Sequence, residues 1–374
     1  MIKYFETTQN LNGGYDFIET EFIQNHHIAQ KLKGRYINEN AIVISVKGGT
    51  PCLNILDLIN FIQKQTIKNI IIDFISDETY IEKFIVEQLI LQLSNYNLKI
   101  LTVNLVNNQF HQHKFFSNHI FQLVESFGDI IEASNRIQYY NLNTKKRLKK
   151  FLFLNHHLRT ERFKIFESLY FNSHLDDGLV TFNWNLENQK FNAKLYQVSN
   201  DDLEYIKKSE AYRLLPIQLD GDVEFDTNPH NITDSIQNPV HFGPPNTNVV
   251  HYFETYFEIL TEGYSNTTPF HTFVDRNNLL HYSEKIWKPL LFGNPFCFWG
   301  PENTFNELKK YYGFSFECPL YYCNVGYNLI DFNNHINNII SLPYRDLHNM
   351  YYEYKNEFMH NQQTLISIVK NIVL

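Results

Sequence analysis

Residues 41–74 have the sequence AIVISVKGGTPCLNILDLINFIQKQTIKNIIIDF. The stretch opens and closes with short β-branched runs, Ala41–Val46 and Asn69–Phe74, which are typical of buried strands. Between them, apolar residues recur every three or four positions over residues 53–64, which predicts a helix. A strand, a helix and a second strand in this order indicate two parallel neighbours in one sheet.

The same alternation continues along the first half of the chain. Apolar spacing predicts a second helix over residues 81–94, and residues 99–105 form a third strand-like run. The turn Lys47-Gly48-Gly49 leads into Thr50-Pro51, a pair that suits a helix start. Such a turn can hold a phosphate, but a plain tight turn is favoured because the GxGxxG spacing is missing. The first half is therefore predicted to form a doubly wound α/β sheet.

The second half repeats this alternation. Its predicted strands cover residues 151–155, 179–182, 256–261 and 295–299, and its predicted helices cover residues 161–170, 201–208, 283–292 and 303–312. The 374 residues are enough for two domains. We predict two Rossmann-like domains facing a cleft, residues 1–148 and 149–343. Terminal helices over residues 344–374 are expected to pack back toward the first domain.

Composition and charge exclude several classes of function. The apolar fraction of 43% supports a globular core, and the net charge of −8 argues against nucleic acid as the main partner. The first residues lack the basic and apolar pattern of a signal peptide, and no segment reaches about 18 consecutive apolar residues. We therefore expect no transmembrane segment and a cytoplasmic location.

The chain has one basic run and four dispersed cysteines. We interpret the basic run, residues 145–150, as a solvated linker between the domains. The cysteines contain no CxxC pair, so neither a zinc site nor a disulfide framework is predicted. We expect them to be reduced and mostly buried thiols. They are Cys52, Cys297, Cys318 and Cys323.

The most informative motif lies in the second half. The strand-like run Phe257-Glu258-Ile259-Leu260-Thr261-Glu262 carries acidic residues. Ser283-Glu284-Lys285 then begins a helix, which is followed by an apolar strand and Gly300-Pro301. This layout resembles the C-terminal donor-binding domain of α1,3-fucosyltransferase-like enzymes, which are glycosyltransferases of the GT-B fold.

A second segment extends the resemblance. Uncharacterised bacterial and viral glycosyltransferases of the same layout open this domain with a strand and an N-x-x-x-R-x-x-R segment, which Asn155, Arg159 and Arg162 match here. The resemblance covers residues 150–342. It implies an enzyme that moves a sugar from a nucleotide sugar to a glycan or glycoconjugate acceptor, and it leaves the sugar open.

The resemblance and the chemistry of the reaction suggest roles for these side chains. Lys285, Arg159 and Arg162 would stabilise the charge that develops on the diphosphate leaving group, so no metal or other cofactor is expected. Glu284 would accept hydrogen bonds from ribose hydroxyls, although a first-turn glutamate also complements a helix dipole. For both arginines, a solvated surface position without a binding role is the ordinary alternative. The remaining predicted donor-binding residues are Ser283, Asn155 and Glu258.

Inverting transfer also needs a general base near the acceptor hydroxyl. Asp73, Asp77 and Glu78 follow the second predicted strand, at the end where doubly wound sheets bind ligands. These three carboxylates are the candidate bases. His111 and His113, which follow the third predicted strand, are further candidates. Solvated loop residues are the ordinary alternative for all five.

Other functions compete with this interpretation. Asp220-Gly221-Asp222 imitates the DxD metal site of other glycosyltransferases, but its Pro- and Asp-rich surroundings favour a solvent loop. The chain has no HExxH, GxSxG or GxxxxGK[ST] motif. A catalytically silent glycan-binding or scaffold protein on a transferase fold stays open. So does a sugar transferase acting on modified viral DNA bases, which would require a basic cleft.

Overall fold

A computed structural model gives the fold of the chain. It describes residues 2–9, 15–19, 40–46, 55–74, 83–101, 104–106, 115–116, 146–155, 158–182, 198–217, 219, 250–261, 279–281, 284–300, 304–323 and 328–372. Contacts divide the chain into two units. The first unit comprises Met1–Ile130, Asn278–Trp287 and Ile366–Leu374, and the second comprises Ile131–Asn277 and Lys288–Leu365. Residues 117–145 lie outside the described residues, so the boundary at residue 148 stays a prediction.

The described residues form thirteen strands and ten α-helices. The strands are β1 Ile2–Gln9, β2 Tyr15–Glu19, β3 Ala41–Val46, β4 Asn69–Phe74, β5 Asn97–Leu101, β6 Asn104–Val106, β7 Phe115–Phe116, β8 Lys149–Asn155, β9 Gly178–Phe182, β10 Thr255–Thr261, β11 Leu279–His281, β12 Phe296–Trp299 and β13 Tyr322–Cys323. The helices are α1 Ile55–Gln63, α2 Lys83–Gln92, α3 Thr160–Phe171, α4 Asn200–Lys208, α5 Val250–Glu254, α6 Glu284–Phe292, α7 Thr304–Tyr312, α8 Leu329–Ile340, α9 Tyr344–Glu353 and α10 Lys355–Ile372.

The first unit is built on a six-stranded sheet in the order β2-β1-β3-β4-β5-β7. Strands β1, β3, β4, β5 and β7 pair in parallel, and β2 pairs antiparallel with β1 at the edge. Helix α1 contributes Leu58, Ile59 and Ile62 to the core. Ile42 and Val43 of β3, which face opposite sides of the sheet, are both buried, as expected for a strand covered on both faces.

The second unit is built on a five-stranded sheet in the order β13-β12-β10-β8-β9. All four of its strand pairs are parallel. All seven residues of β10 are buried, as are Phe151, Leu152 and Phe153 of β8. The predicted α/β class, with two sheets of mostly parallel strands, is therefore confirmed.

Two parts of the first sheet differ from the predictions. The run over residues 99–105 is not one strand, because β5 ends at Leu101 and β6 pairs antiparallel with β11 instead. Apolar residues lie both before and after residues 102 and 103, so the apolar pattern does not separate β5 from β6. Strands β1 and β2 were missed because they mix apolar and polar residues without a continuous apolar run or strict alternation, and they precede the βαβ pattern.

The interpretation of residues 145–150 as a solvated linker was wrong. Lys146 is exposed, but Arg147 and Lys150 are buried. Lys150 Nζ donates to the Ile340 carbonyl oxygen over 2.6 Å and lies 3.3 Å from Asp177 Oδ2. A basic side chain can be buried where oxygen acceptors satisfy it, and charge patterning alone does not show those acceptors.

The structure describes three of the four cysteines, which were expected to be reduced and mostly buried thiols. Cys297, Cys318 and Cys323 form no disulfide bond; Cys297 and Cys318 are buried and Cys323 is partly exposed, and Cys52 lies outside the described residues. Burial raises the pKa of the Cys318 thiol to about 12, so this thiol stays protonated at neutral pH. Within the part of the chain that the structure describes, none of the helices has the length and apolar character to cross a membrane.

Candidate functional site

The strand order of the second sheet contains a topological switch point. Strand β8 is the first strand of this sheet along the chain, and the next strand, β9, lies beside it on one side. The chain then places β10 on the other side of β8. The connections after β8 and β10 therefore leave in opposite directions from the carboxyl edge of the sheet. Doubly wound sheets of this 2-1-3-4-5 order bind ligands in the crevice at that point.

Three buried polar residues meet at the carboxyl ends of these two strands. Asn155 ends β8 and Thr261 ends β10, and Thr261 Oγ1 donates to Asn155 Oδ1 over 3.1 Å. Arg162, in the first turn of α3, donates from Nε to Thr261 Oγ1 over 3.0 Å and from Nη2 to the Thr261 carbonyl oxygen over 3.3 Å. We call Asn155, Arg162 and Thr261 the switch-point cluster.

The switch-point cluster is almost entirely removed from solvent. Asn155 is 2% exposed, Thr261 3% and Arg162 5%. Asn155 Nδ2 is buried and has no hydrogen-bond partner among the described residues. A buried donor left without an acceptor costs about 1–3 kcal/mol of folding free energy. The cluster therefore holds a guanidinium and an unused amide donor where a ligand is expected.

Both arginines of the predicted motif belong to the N-terminal end of α3. Arg159 is partly buried, has extended backbone at the N-cap position and makes no side-chain capping bond. Arg162 follows one turn later. Positive charge at a helix N-terminus opposes the helix dipole, so α3 gains no stability from these two charges. The same helix end suits an anion, because its first N–H groups have no partner within the helix.

The described contacts of Glu258 do not join it to the switch-point cluster. It lies in the middle of β10, is 3% exposed and accepts a hydrogen bond from the Tyr252 hydroxyl over 3.4 Å. Glu258 and Thr261 are three residues apart in one strand, so their side chains point to opposite faces of the sheet. The donor-binding role of Glu258 stays a prediction.

The predicted Ser-Glu-Lys motif is described only in part. Ser283 lies outside the described residues, and the side chain of Glu284 is not described. Lys285 is the second residue of α6 and is partly buried. Gly293, directly after α6, lies in the left-handed region with a φ of +64°, where glycine is favoured. Contacts assign Lys285 to the first unit and the switch-point cluster to the second.

Asp73 is the candidate base with a described backbone, and the DxD segment lies outside the described residues. Asp73 lies in β4, one residue before its end, paired with Ser45 of β3 and Leu101 of β5. Its side chain is not described. Among the residues that the structure describes, no group of three His, Cys, Asp or Glu side chains could hold a metal ion. The remaining predicted residues outside the described ranges are Asp77, Glu78, His111, His113, Asp220 and Asp222.

Sequence reasoning missed Thr261 as a member of the site. The resemblance drew attention to the acidic residues around it in Phe257-Glu258-Ile259-Leu260-Thr261-Glu262. Its signal is a hydroxyl residue at the end of a buried parallel strand, which becomes informative once the strand order places that end at a switch point.

The similarity of the chain to known proteins is weak. No family model matches the chain, and no curated protein matches it. Among solved structures, the chain is similar to the N-terminal domain of trehalose-6-phosphate phosphatase from Candida albicans, with a TM-score of 0.34 and 10% identity. The match covers 91% of this chain and 72% of that one. A likeness at this level carries no inference about activity.

Proposed function

We propose that the chain is a GT-B glycosyltransferase that moves a sugar from a nucleotide sugar to a glycan or glycoconjugate acceptor, without a metal ion and with inversion. The observation that carries the proposal is the switch-point cluster, in which a buried guanidinium and an unused buried amide donor share one site. The N-x-x-x-R-x-x-R resemblance supports it, because Asn155 and Arg162 of that motif are joined there through Thr261.

Sugar transfer requires fixed hydrogen-bond donors around the diphosphate leaving group. When the bond between the anomeric carbon and the diphosphate breaks, negative charge develops on the phosphate oxygens. Preorganised N–H donors and cations stabilise that charge most when they need no rearrangement. Arg162 is already held by two hydrogen bonds to Thr261, and Asn155 Nδ2 has an unused N–H. Lys285 and Glu284 keep the roles that the resemblance implies, contact with the diphosphate and contact with the ribose, as separate proposals.

The acceptor side of the reaction needs a base. The acceptor hydroxyl gives its proton to the base, its oxygen bonds to the anomeric carbon, and the nucleoside diphosphate leaves with the electron pair of the broken bond. Asp73 is the candidate whose backbone is described, near the carboxyl end of a central strand of the first sheet. Asp77 and Glu78 are the other candidates.

Turnover with a panel of nucleotide sugars tests the proposal. The full chain is incubated with each donor and a mixture of glycan acceptors, and the released nucleoside diphosphate and the new glycoside are measured by mass spectrometry. We expect one donor to give both products, and Arg162→Ala to lower the rate about 10-fold or more. Lys164→Ala is the matched control, since Lys164 lies on the same helix with its Nζ 5.6 Å from the centroid of the Tyr205 ring.

Two results would count against the proposal. If the wild-type chain binds a nucleotide sugar and releases neither product with any acceptor, it is a silent binding protein on a transferase fold. If Arg162→Ala and Lys164→Ala lower turnover equally while both melt like the wild type, the switch-point cluster is not the donor site.

A further inference from the structure

We infer that Thr261 is a positioning residue that aims the Asn155 amide at an anionic oxygen of the ligand, so that Asn155 Nδ2 donates to a phosphate. The inference rests on the proposed function and adds to it a residue and the ligand group that the residue selects. Thr261 acts through its two neighbours, since both of its hydroxyl hydrogen bonds are made within the switch-point cluster.

The direction of these hydrogen bonds follows from proton counting. An arginine side chain only donates, so Thr261 Oγ1 must accept from Arg162 Nε. The single hydroxyl proton of Thr261 is then left to donate, and Asn155 is its partner at 3.1 Å. Only the amide oxygen of Asn155 can accept that proton. The guanidinium therefore fixes the hydroxyl, and the hydroxyl fixes which end of the amide faces it.

This chain of bonds leaves the other end of the amide unused. Asn155 Nδ2 is buried without a hydrogen-bond partner among the described residues, although the residue is only 2% exposed. Turning the amide over would give Nδ2 a contact with Thr261, but it would leave the buried hydroxyl proton of Thr261 without an acceptor. The observed orientation keeps the Arg162–Thr261–Asn155 bonds intact and leaves one donor for a ligand.

The cluster selects a group that only accepts hydrogen bonds. Thr261 Oγ1 and Asn155 Oδ1 each already accept one hydrogen bond inside the cluster. The cluster presents the N–H of the Asn155 amide beside the positively charged guanidinium of Arg162. A phosphate oxygen accepts from the Asn155 amide without needing to donate, and the guanidinium charge attracts it, whereas a sugar hydroxyl must also place its own proton. The structure thus assigns Asn155 to the phosphate part of the donor.

Thr261→Val is the first variant that tests this inference. Valine has nearly the shape of threonine and lacks the hydroxyl, and the carbonyl oxygen of residue 261 can still accept from Arg162. Isothermal titration measures the affinity of wild type and variant for uridine, guanosine, adenosine, cytidine and thymidine diphosphates and for the five free nucleosides. We expect about 10-fold weaker binding of the preferred diphosphate and unchanged binding of its nucleoside. Thr261→Ser, which restores the hydroxyl, should bind within about threefold of the wild type.

Asn155→Asp is the second variant and covers the case in which Thr261→Val does not fold. It keeps an oxygen for Thr261 and replaces the N–H donor by an oxygen that repels phosphate. We expect it to weaken diphosphate binding more than Thr261→Val does, with nucleoside binding retained. Equal diphosphate affinity in wild type, Thr261→Val and Asn155→Asp would overturn the inference and leave the proposed function intact. A wild-type chain that binds none of the diphosphates would overturn both.

Discussion

The guanidinium carbon of Arg147 lies 4.1 Å from the centroid of the Tyr351 ring. The same guanidinium donates hydrogen bonds to the Tyr351 hydroxyl and to the carbonyl oxygens of Tyr252 and Thr255. Tyr351 in turn donates to the Gly293 carbonyl oxygen over 2.9 Å. Arg147 therefore ties the chain just before β8 to the start of β10 and to α9, all within the second unit.

Removing this side chain should destabilise the second unit. Arg147→Ala leaves two buried carbonyl oxygens and a buried tyrosine hydroxyl without their charged donor, so the free energy of unfolding should fall by about 3 kcal/mol. Lys146→Ala is the matched control, since Lys146 is exposed and its Nζ lies 5.3 Å from the Tyr344 ring centroid. It should cost less than about 1 kcal/mol. Urea unfolding measures both, and equal losses would contradict the structural role of Arg147.

The strands and helices of the second unit were largely predictable, and the burial of its charged residues was not. Strand β10 and helix α3 have strong apolar patterns, so the predicted ranges 256–261 and 161–170 lie within one residue of the observed bounds. Arg147 stands in a basic run whose local sequence gives no sign of the distant carbonyl oxygens that it contacts. Such contacts depend on tertiary packing, which periodicity does not describe.

The candidate site was predictable to a similar extent. Asn155 and Arg162 stand in a recognisable motif, and the structure joins them through Thr261. Thr261 was missed because a single threonine in a strand is an ordinary residue until the strand order shows that its end faces a switch point. Strand order is a property of the whole sheet, and the sequence predicts parallel neighbours without their final order.

Lys285 should contribute charge to diphosphate binding. Lys285→Ala removes one charge-assisted hydrogen bond, worth roughly 1.5 to 3 kcal/mol, so a nucleoside diphosphate should bind about 10- to 150-fold more weakly. The free nucleoside should bind as before, and Lys288→Ala, three residues on in α6, is the matched control. Glu284→Ala should instead weaken nucleoside and diphosphate alike, because both contain the ribose. Unchanged diphosphate affinity of Lys285→Ala in isothermal titration would remove Lys285 from the site.

Turnover should not depend on a divalent cation. In the proposed mechanism the cationic side chains stabilise the leaving group, so the initial rate in excess chelator should match the untreated rate within about twofold. The measurement compares product formation with chelator, and with chelator followed by excess Mn²⁺ or Mg²⁺. A loss of turnover that either ion restores would contradict the prediction and direct attention to Asp220 and Asp222.

His335 should make the second unit sensitive to acid. Its ring stacks on Tyr322 at a centroid distance of 3.8 Å, and its Nε2 is buried without a hydrogen-bond partner among the described residues. Burial lowers the pKa of His335 below its ordinary value of about 6.5, so the folded chain takes up this proton at lower pH than the unfolded chain does. The stability contributed by neutral His335 is therefore complete above about pH 6.5 and is lost as pH falls toward the lowered pKa.

His335→Phe tests whether proton uptake by His335 causes this acid sensitivity. His335→Phe keeps a ring against Tyr322 and has no proton to take up. Between about pH 7 and pH 5, the free energy of unfolding should fall more for the wild type than for His335→Phe. Urea unfolding at both pH values measures the two decreases, and equal decreases would show that His335 does not titrate differently on folding.

The proposed function requires the switch-point cluster of the second sheet to bind a nucleotide sugar. Thermal unfolding of the full chain with a panel of nucleotide sugars tests it most directly, since a ligand that binds only the folded state at 100 times its Kd adds about 2.7 kcal/mol of stability. We predict that one nucleotide sugar raises the melting temperature, that its free sugar does not, and that Arg162→Ala abolishes the rise while Lys164→Ala keeps it. A panel in which no nucleotide sugar raises the melting temperature, or a rise that Arg162→Ala leaves unchanged, would contradict the claim.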